Sequence, residues 1–183
     1  MTQTPLQPAH GRLEHFSIAF FAIVMGLAGL TIAVEKAQHL WGWGTIPGLT
    51  LLAVTTLAYI GIALVYLIKF VRHPKDVIAE FNHPIRMSFF PATSIGMILI
   101  AIACLETFPV AAFYLWAIGT AVQLVFTLVI LSNWVHHEKF QIQHSNPAWF
   151  IPIVGTILVP VAGVPLGFME ISWFFFSVGL LFW

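Results

Sequence analysis

Charge is what this sequence has least of: Asp, Glu, Lys and Arg make up 8% of its 183 residues, against roughly 25% in a soluble domain. Seven cations balance seven anions, which excludes a polybasic nucleic-acid binder. A single cysteine, Cys104, excludes an intrachain disulfide. All eight histidines fall in the polar tail or between apolar runs, so no axial haem ligand is expected inside a span. His136, His137, Glu138 and His144 are the one zinc-like cluster, but without cysteine or HExxH spacing they read first as a polar interfacial loop. No metal or other cofactor is expected. What remains is hydrophobic: 60% of the residues, with a mean hydropathy of +0.95. Apolar runs near 20 residues recur, the length that crosses ~30 Å of hydrocarbon. The fold class is an all-α polytopic membrane protein.

Residues 1–15 read as a polar cytoplasmic tail and residues 16–183 as the transmembrane domain. The first apolar run, 16–34, is too long for a signal-peptide core and no cleavage site follows it. Further spans are expected over 47–70, 84–105, 109–131 and 146–166, with a partial sixth over 171–183. Glu35, Lys36, Gln38 and His39 read as a turn, and Trp41 and Trp43 as interface anchors. Lys69, Arg72, Lys75 and Arg86 flank the second connection, Lys139 lies in the fourth, and Arg12 in the tail. By the positive-inside rule the N-terminus is cytoplasmic, and the first, third and fifth spans run outward.

Those three spans share a pattern. Phe20-Phe21 precedes Gly26, Phe89-Phe90 precedes Gly96, and Trp149-Phe150 precedes Gly155, which points to repeated helical hairpins. Pro84 suits a first helical position. Pro91 would then fall two turns inside the helix and bend it, having no N–H for the Met87 carbonyl. Pro147 opens the fifth span in the same way, and Pro152, Pro160 and Pro165 interrupt it. In lipid, backbone groups freed by proline survive where a helix faces other helices or a water-filled cavity. The residues alone leave both readings open.

Gln123 is the one strongly polar side chain in mid-span, and its expected partner is another helix. Thr93, Ser94 and Thr156 could offer hydroxyls to a pore or bond their own backbone. Gly26 and Gly29 could line a lumen or permit close packing.

Three stretches together, "FVRHPKDVIAEFNHPIRMSFFPATSIGM", "AVQLVF" and "NPAWFIPIVGTILVPVAG", resemble the tellurite-resistance and dicarboxylate transporter family. That family includes fungal malate and sulfite exporters and the plant slow anion channel. The resemblance implies ten helices in five hairpins around a central pore, and a homotrimer in the plasma or inner membrane. Its odd-numbered, proline-kinked helices would be the inner ones. It also implies a non-enzymatic channel or transporter for small anions: C4-dicarboxylate, sulfite, tellurite, halide or nitrate. The pore-lining candidates are then Gly26, Gly29, Pro91, Thr93, Ser94, Thr156 and Pro160. Arg72, Lys75 and Arg86 would form a cytoplasmic funnel for anions. The partners expected are the bilayer, the anions and, at full length, further copies of the chain. A haem- or metal-binding redox protein and a non-transporting membrane scaffold are the alternatives. The last apolar run is short, so the chain is expected to be the front portion of such a protein, with the gate outside it.

Overall fold

The computed structural model describes residues 13–136 and 146–183, except for the side chain of His136. The expectations placed on Arg12, His137, Glu138, Lys139 and His144 lie outside the described residues. Within them the chain forms α-helices α1 (Phe21–Trp41), α2 (Ile46–Arg72), α3 (Pro74–Phe81), α4 (Ala92–Cys104), α5 (Pro109–His136), α6 (Phe150–Gly163) and α7 (Met169–Phe182), and no strand. Short 3-10 turns, Ile18–Phe20, Arg86–Phe89 and Pro147–Trp149, lead into α1, α4 and α6. Four segments are long and apolar enough to cross a membrane: Ile18–Trp41, Ile46–Arg72, Arg86–Cys104 and Pro109–Val135. Pro147–Gly163 and Met169–Phe182 are shorter apolar helices.

The helices pair as hairpins, α1 on α2, α4 on α5 and α6 on α7, and α4 also packs on both α1 and α6. Within Arg86–Cys104, 72% of the apolar stretch is buried, against 28% in the first span and 11% in the second. α4 is the centre. Its faces are held by Val24, Leu52 and Ala112 on one side and by Trp116, Val159 and Phe175 on the other.

Three local features differ from the sequence reading. First, Glu35, Lys36, Gln38 and His39 are helical, because α1 runs on to Trp41. It stops at Gly42, whose φ of 66° is the left-handed conformation that glycine adopts without steric cost. Second, the second connection contains a helix. His73 precedes a proline and leaves the α region (φ -131°), which ends α2, and Pro74 then opens α3 at its first position.

Third, Pro84 starts no helix, and Pro91 does not bend one. Residues 82–85 form turns, a 3-10 stretch follows, and Pro91 is the N-cap of α4 with φ -60°. A helix N-terminus has no intrahelical acceptor for its first N–H groups, so a residue without one loses nothing there. Pro160 does lie inside a helix, α6.

The aromatic pairs acquire a structural meaning. Phe20, Phe89 and Trp149 each end a 3-10 turn, and Phe21, Phe90 and Phe150 each cap it. The change of winding falls on the same pair in all three hairpins.

Candidate functional site

The three 3-10 turns gather at one end of the structure, where the middle one touches the other two and also α6. Each has its own acceptor for exposed backbone donors. The Ser17 hydroxyl accepts from the Ala19 N–H (3.2 Å), His83 Nδ1 from the Ile85 N–H (3.3 Å), and the Asn146 side chain from the Ala148 N–H (2.9 Å). α1, α4 and α6 therefore begin close together, with their positive dipole ends at the same end of the structure.

Beneath the first turn lies a buried ion pair. Lys69 Nζ stands 2.9 Å from Glu80 Oε2, with side chains only 4% and 2% exposed. Lys69 also donates to the Phe16 carbonyl (2.7 Å), while the Ile18 N–H (2.9 Å) and the Ser17 hydroxyl (3.2 Å) donate to Glu80 Oε1. The Tyr66 hydroxyl completes the set on Oε2 at 3.2 Å. Burial pushes the Glu80 carboxyl upward, but the bonds from Ile18, Lys69 and Tyr66 outweigh it and hold the group below the ordinary glutamate range. The pair ties α2 and α3 to the turn that opens α1. It also removes Lys69 from the count of free cations at this end. Arg72, Lys75 and Arg86 remain exposed there.

Sequence reasoning placed Lys69 at the end of the second span, flanking the connection, left Glu80 in that connection, and missed their pairing. The signal was present. Pro74 with Asp76 in the first turn marks a helix start, and Val77 and Glu80, three residues apart, then share its buried face.

The residues expected to line a pore are not brought together. Gly26 and Gly29 lie on an exposed face of α1, where an added Cβ would meet nothing within 4 Å. Ser94 is fully buried toward α5, with its hydroxyl 2.8 Å from the Pro91 carbonyl and 2.7 Å from Gln123 Oε1. Thr156 bonds the Ile153 carbonyl (2.6 Å) and abuts Gly179 of α7. Thr93 bonds the Phe90 carbonyl at 2.8 Å. Pro91 is buried, and Pro160 borders Ser172 and Trp173 of α7. Where α1, α4 and α6 come together, the cluster is aliphatic: Ala28, Ile95 and Leu99, with Met25, Ile102 and Leu158 around them.

Gln123 has the interhelical role expected of it. Its Nε2 donates to the Pro152 carbonyl (2.8 Å) and to Thr127 (3.2 Å), while its Oε1 accepts from Ser94. Gly155 makes room for it, since a Cβ there would collide with the Gln123 amide. The second hairpin repeats the device. Tyr59 of α2 donates to the Thr93 carbonyl (3.3 Å), and a Cβ on Gly96 would stand 3.1 Å from its ring. In both, a side chain from the preceding outer helix reaches the carbonyl three residues before the glycine.

At the opposite end, the last turns of α1, α4 and α6 surround a cavity of about 640 Å³ bordered by Ile32, Glu35, His39, Glu106, Val161 and Leu166. Glu106 receives Lys36 (3.6 Å) and His39, both on α1. Among the described residues, no group of three or more His, Cys, Asp or Glu could hold a metal ion.

Hairpins of this kind, repeated around a shared inner layer, suit transport across a bilayer, and comparison with known proteins decides the family. Residues 15–183 match the family described as SLAC1, voltage-dependent anion channel. The chain belongs to that family. An uncharacterized transporter of Methanocaldococcus jannaschii is 27% identical over 82% of this chain and 45% of its own length. The tellurite resistance protein TehA homolog of Haemophilus influenzae is 26% identical over 90% of this chain and 50% of its own. A putative malic acid transport protein of Schizosaccharomyces pombe is 26% identical over 78% and 35% respectively. The chain thus spans about half the length of the first two of these relatives. The SLAC1 family comprises anion channels and transporters of the membrane, not enzymes.

Proposed function

We propose that this chain supplies part of an anion-conducting path, with α1, α4 and α6 as inner helices. The observation that carries the reading is the gathering of three helix beginnings at the end where Arg72, Lys75 and Arg86 stand exposed. Three dipole ends, each like about half a positive charge, and three guanidinium or ammonium groups draw anions to that mouth. The open face of α1 at Gly26 and Gly29 offers such an ion no counter-charge, so it is released as readily as it is admitted. The substrates are small anions, with C4-dicarboxylate, sulfite, tellurite, halide and nitrate as the panel to test. The N-terminus and the cationic mouth are cytoplasmic, the membrane is the plasma or inner membrane, and the assembled protein is a homotrimer. Gly26 and Gly29 are the lining candidates with open space before them.

Replacing Arg72, Lys75 and Arg86 with glutamine and measuring anion flux in liposomes tests this reading. The expected loss is greater at about 0.01 M salt than at about 1 M, where the Debye length shrinks to ~3 Å. An equal loss at both would overturn it.

A further inference from the structure

Beside the Lys69–Glu80 pair the surface opens into an apolar groove of about 580 Å³, a size typical of small-molecule sites (~300–1,000 Å³). Ala63, Leu67 and Phe70 of α2 form one wall, Phe126 of α5 borders it, and Phe90, which caps the turn before α4, also lines it. α3 closes the end with Val77, Ile78 and Phe81. Leu67, Phe70 and Ile78 are more than half exposed, at 56%, 54% and 59%, so the groove is open toward the bilayer. Its three hydroxyls are committed elsewhere, Tyr59 to the Thr93 carbonyl, Tyr66 to Glu80 and Thr93 to the Phe90 carbonyl. The lining offers almost nothing polar.

The charge sits at one end. Arg72 closes α2 two residues beyond Phe70, and Lys75 shares a face of α3 with Ile78 by its spacing. Both cations are exposed and, among the described residues, without a carboxylate partner. The nearby Asp76 is turned to His73 (3.7 Å), as is Glu14 (3.8 Å). An apolar slot of aromatic and aliphatic side chains, with two exposed cations on the segment that closes it, matches one chemistry: an acyl chain carrying an anionic headgroup.

We propose that this groove is a binding site for an anionic phospholipid, with a chain between α2 and α5 and the phosphate on Arg72 and Lys75. Arg72 and Lys75, which also belong to the cationic mouth proposed above, would share their charge with that phosphate, while Arg86, on the turn before α4, would not. The site goes beyond the conduction path, and its test reads lipid rather than flux.

The protein is purified in mild detergent from membranes containing phosphatidylethanolamine and phosphatidylglycerol, and co-purifying lipid is quantified by mass spectrometry. Phosphatidylglycerol is expected to be enriched over its share in the membrane. Ala63→Trp, which fills the groove, should lower it roughly tenfold, the effect of losing burial of about two methylenes. Arg72→Gln with Lys75→Gln should instead abolish the preference for phosphatidylglycerol while lipid remains bound. Lipid at bulk composition in the unaltered protein would overturn the proposal. So would a photo-crosslinker at position 63 that captures protein, a second copy included, in place of lipid.

Discussion

Gln123 occupies the space that a side chain at Gly155 would need, and the two residues together lock α5 to α6. Neither can change alone without cost. Gly155→Ala should destabilise the protein by about 1–3 kcal/mol, as overpacking does, and displace the amide from the Pro152 carbonyl. Adding Gln123→Ala to Gly155→Ala should cost less than the sum of the two single changes. Thermal unfolding of the four proteins in detergent checks this. Additive losses would mean that the amide and the glycine are independent.

Glu80 makes stability depend on acid. Its folded pKa lies below the ordinary value of 4.5, so its contribution is complete above the unfolded pKa and is lost as pH falls through the folded one. The stability gap between the wild type and Glu80→Gln should be constant above about pH 6 and shrink below about pH 4.5. A gap that persists undiminished at about pH 3 would show that ionisation of Glu80 is not its source.

Burial separates the two lysine pairs. Lys69→Met leaves a carboxylate stranded at 2% exposure and should cost about 3–5 kcal/mol. Lys36→Met breaks a pair whose side chains are 70% and 59% exposed, and should cost less than about 1 kcal/mol. Measured melting temperatures should differ accordingly, and comparable losses would contradict the buried placement of Lys69.

Pro91 and Pro160 should respond differently to alanine. Pro91→Ala returns an N–H to an N-cap, where no helical acceptor awaits it, and should leave the shape of α4 unchanged. Pro160→Ala supplies an N–H for the Thr156 carbonyl within α6 and should straighten that helix. Spin-label distances along each helix distinguish the two; a shift in α4 equal to that in α6 would refute the assignment.

Much of this was legible before the structure because lipid imposes simple rules. The order of the apolar segments and their pairing as hairpins follow from apolar run length, whereas the reach of α1 to Trp41 does not. The aromatic pair and glycine marked the repeat, although the pattern gave no hint that the pair marks a change of winding. Gln123 was legible because a lone amide in hydrocarbon must find a partner. The cationic side chains could be counted but not paired, since the Lys69–Glu80 contact depends on α3 folding back under the turn at Ile18. Ser94 and Thr156 were misleading for a related reason. Composition shows that a hydroxyl is present, while only packing shows that it points at α5 or α7.

The tight winding before α4 gives its mouth a stroke. A 3-10 turn rises about 2.0 Å per residue and advances about 120°, whereas an α-helix rises about 1.5 Å and advances about 100°. Rewinding the four residues Arg86–Phe89 into α geometry would draw that end in by about 2 Å and swing Arg86 by about 80° about the axis. The guanidinium is thus carried on a short screw, and a change of pitch of this size would re-aim a charge at that end of the structure.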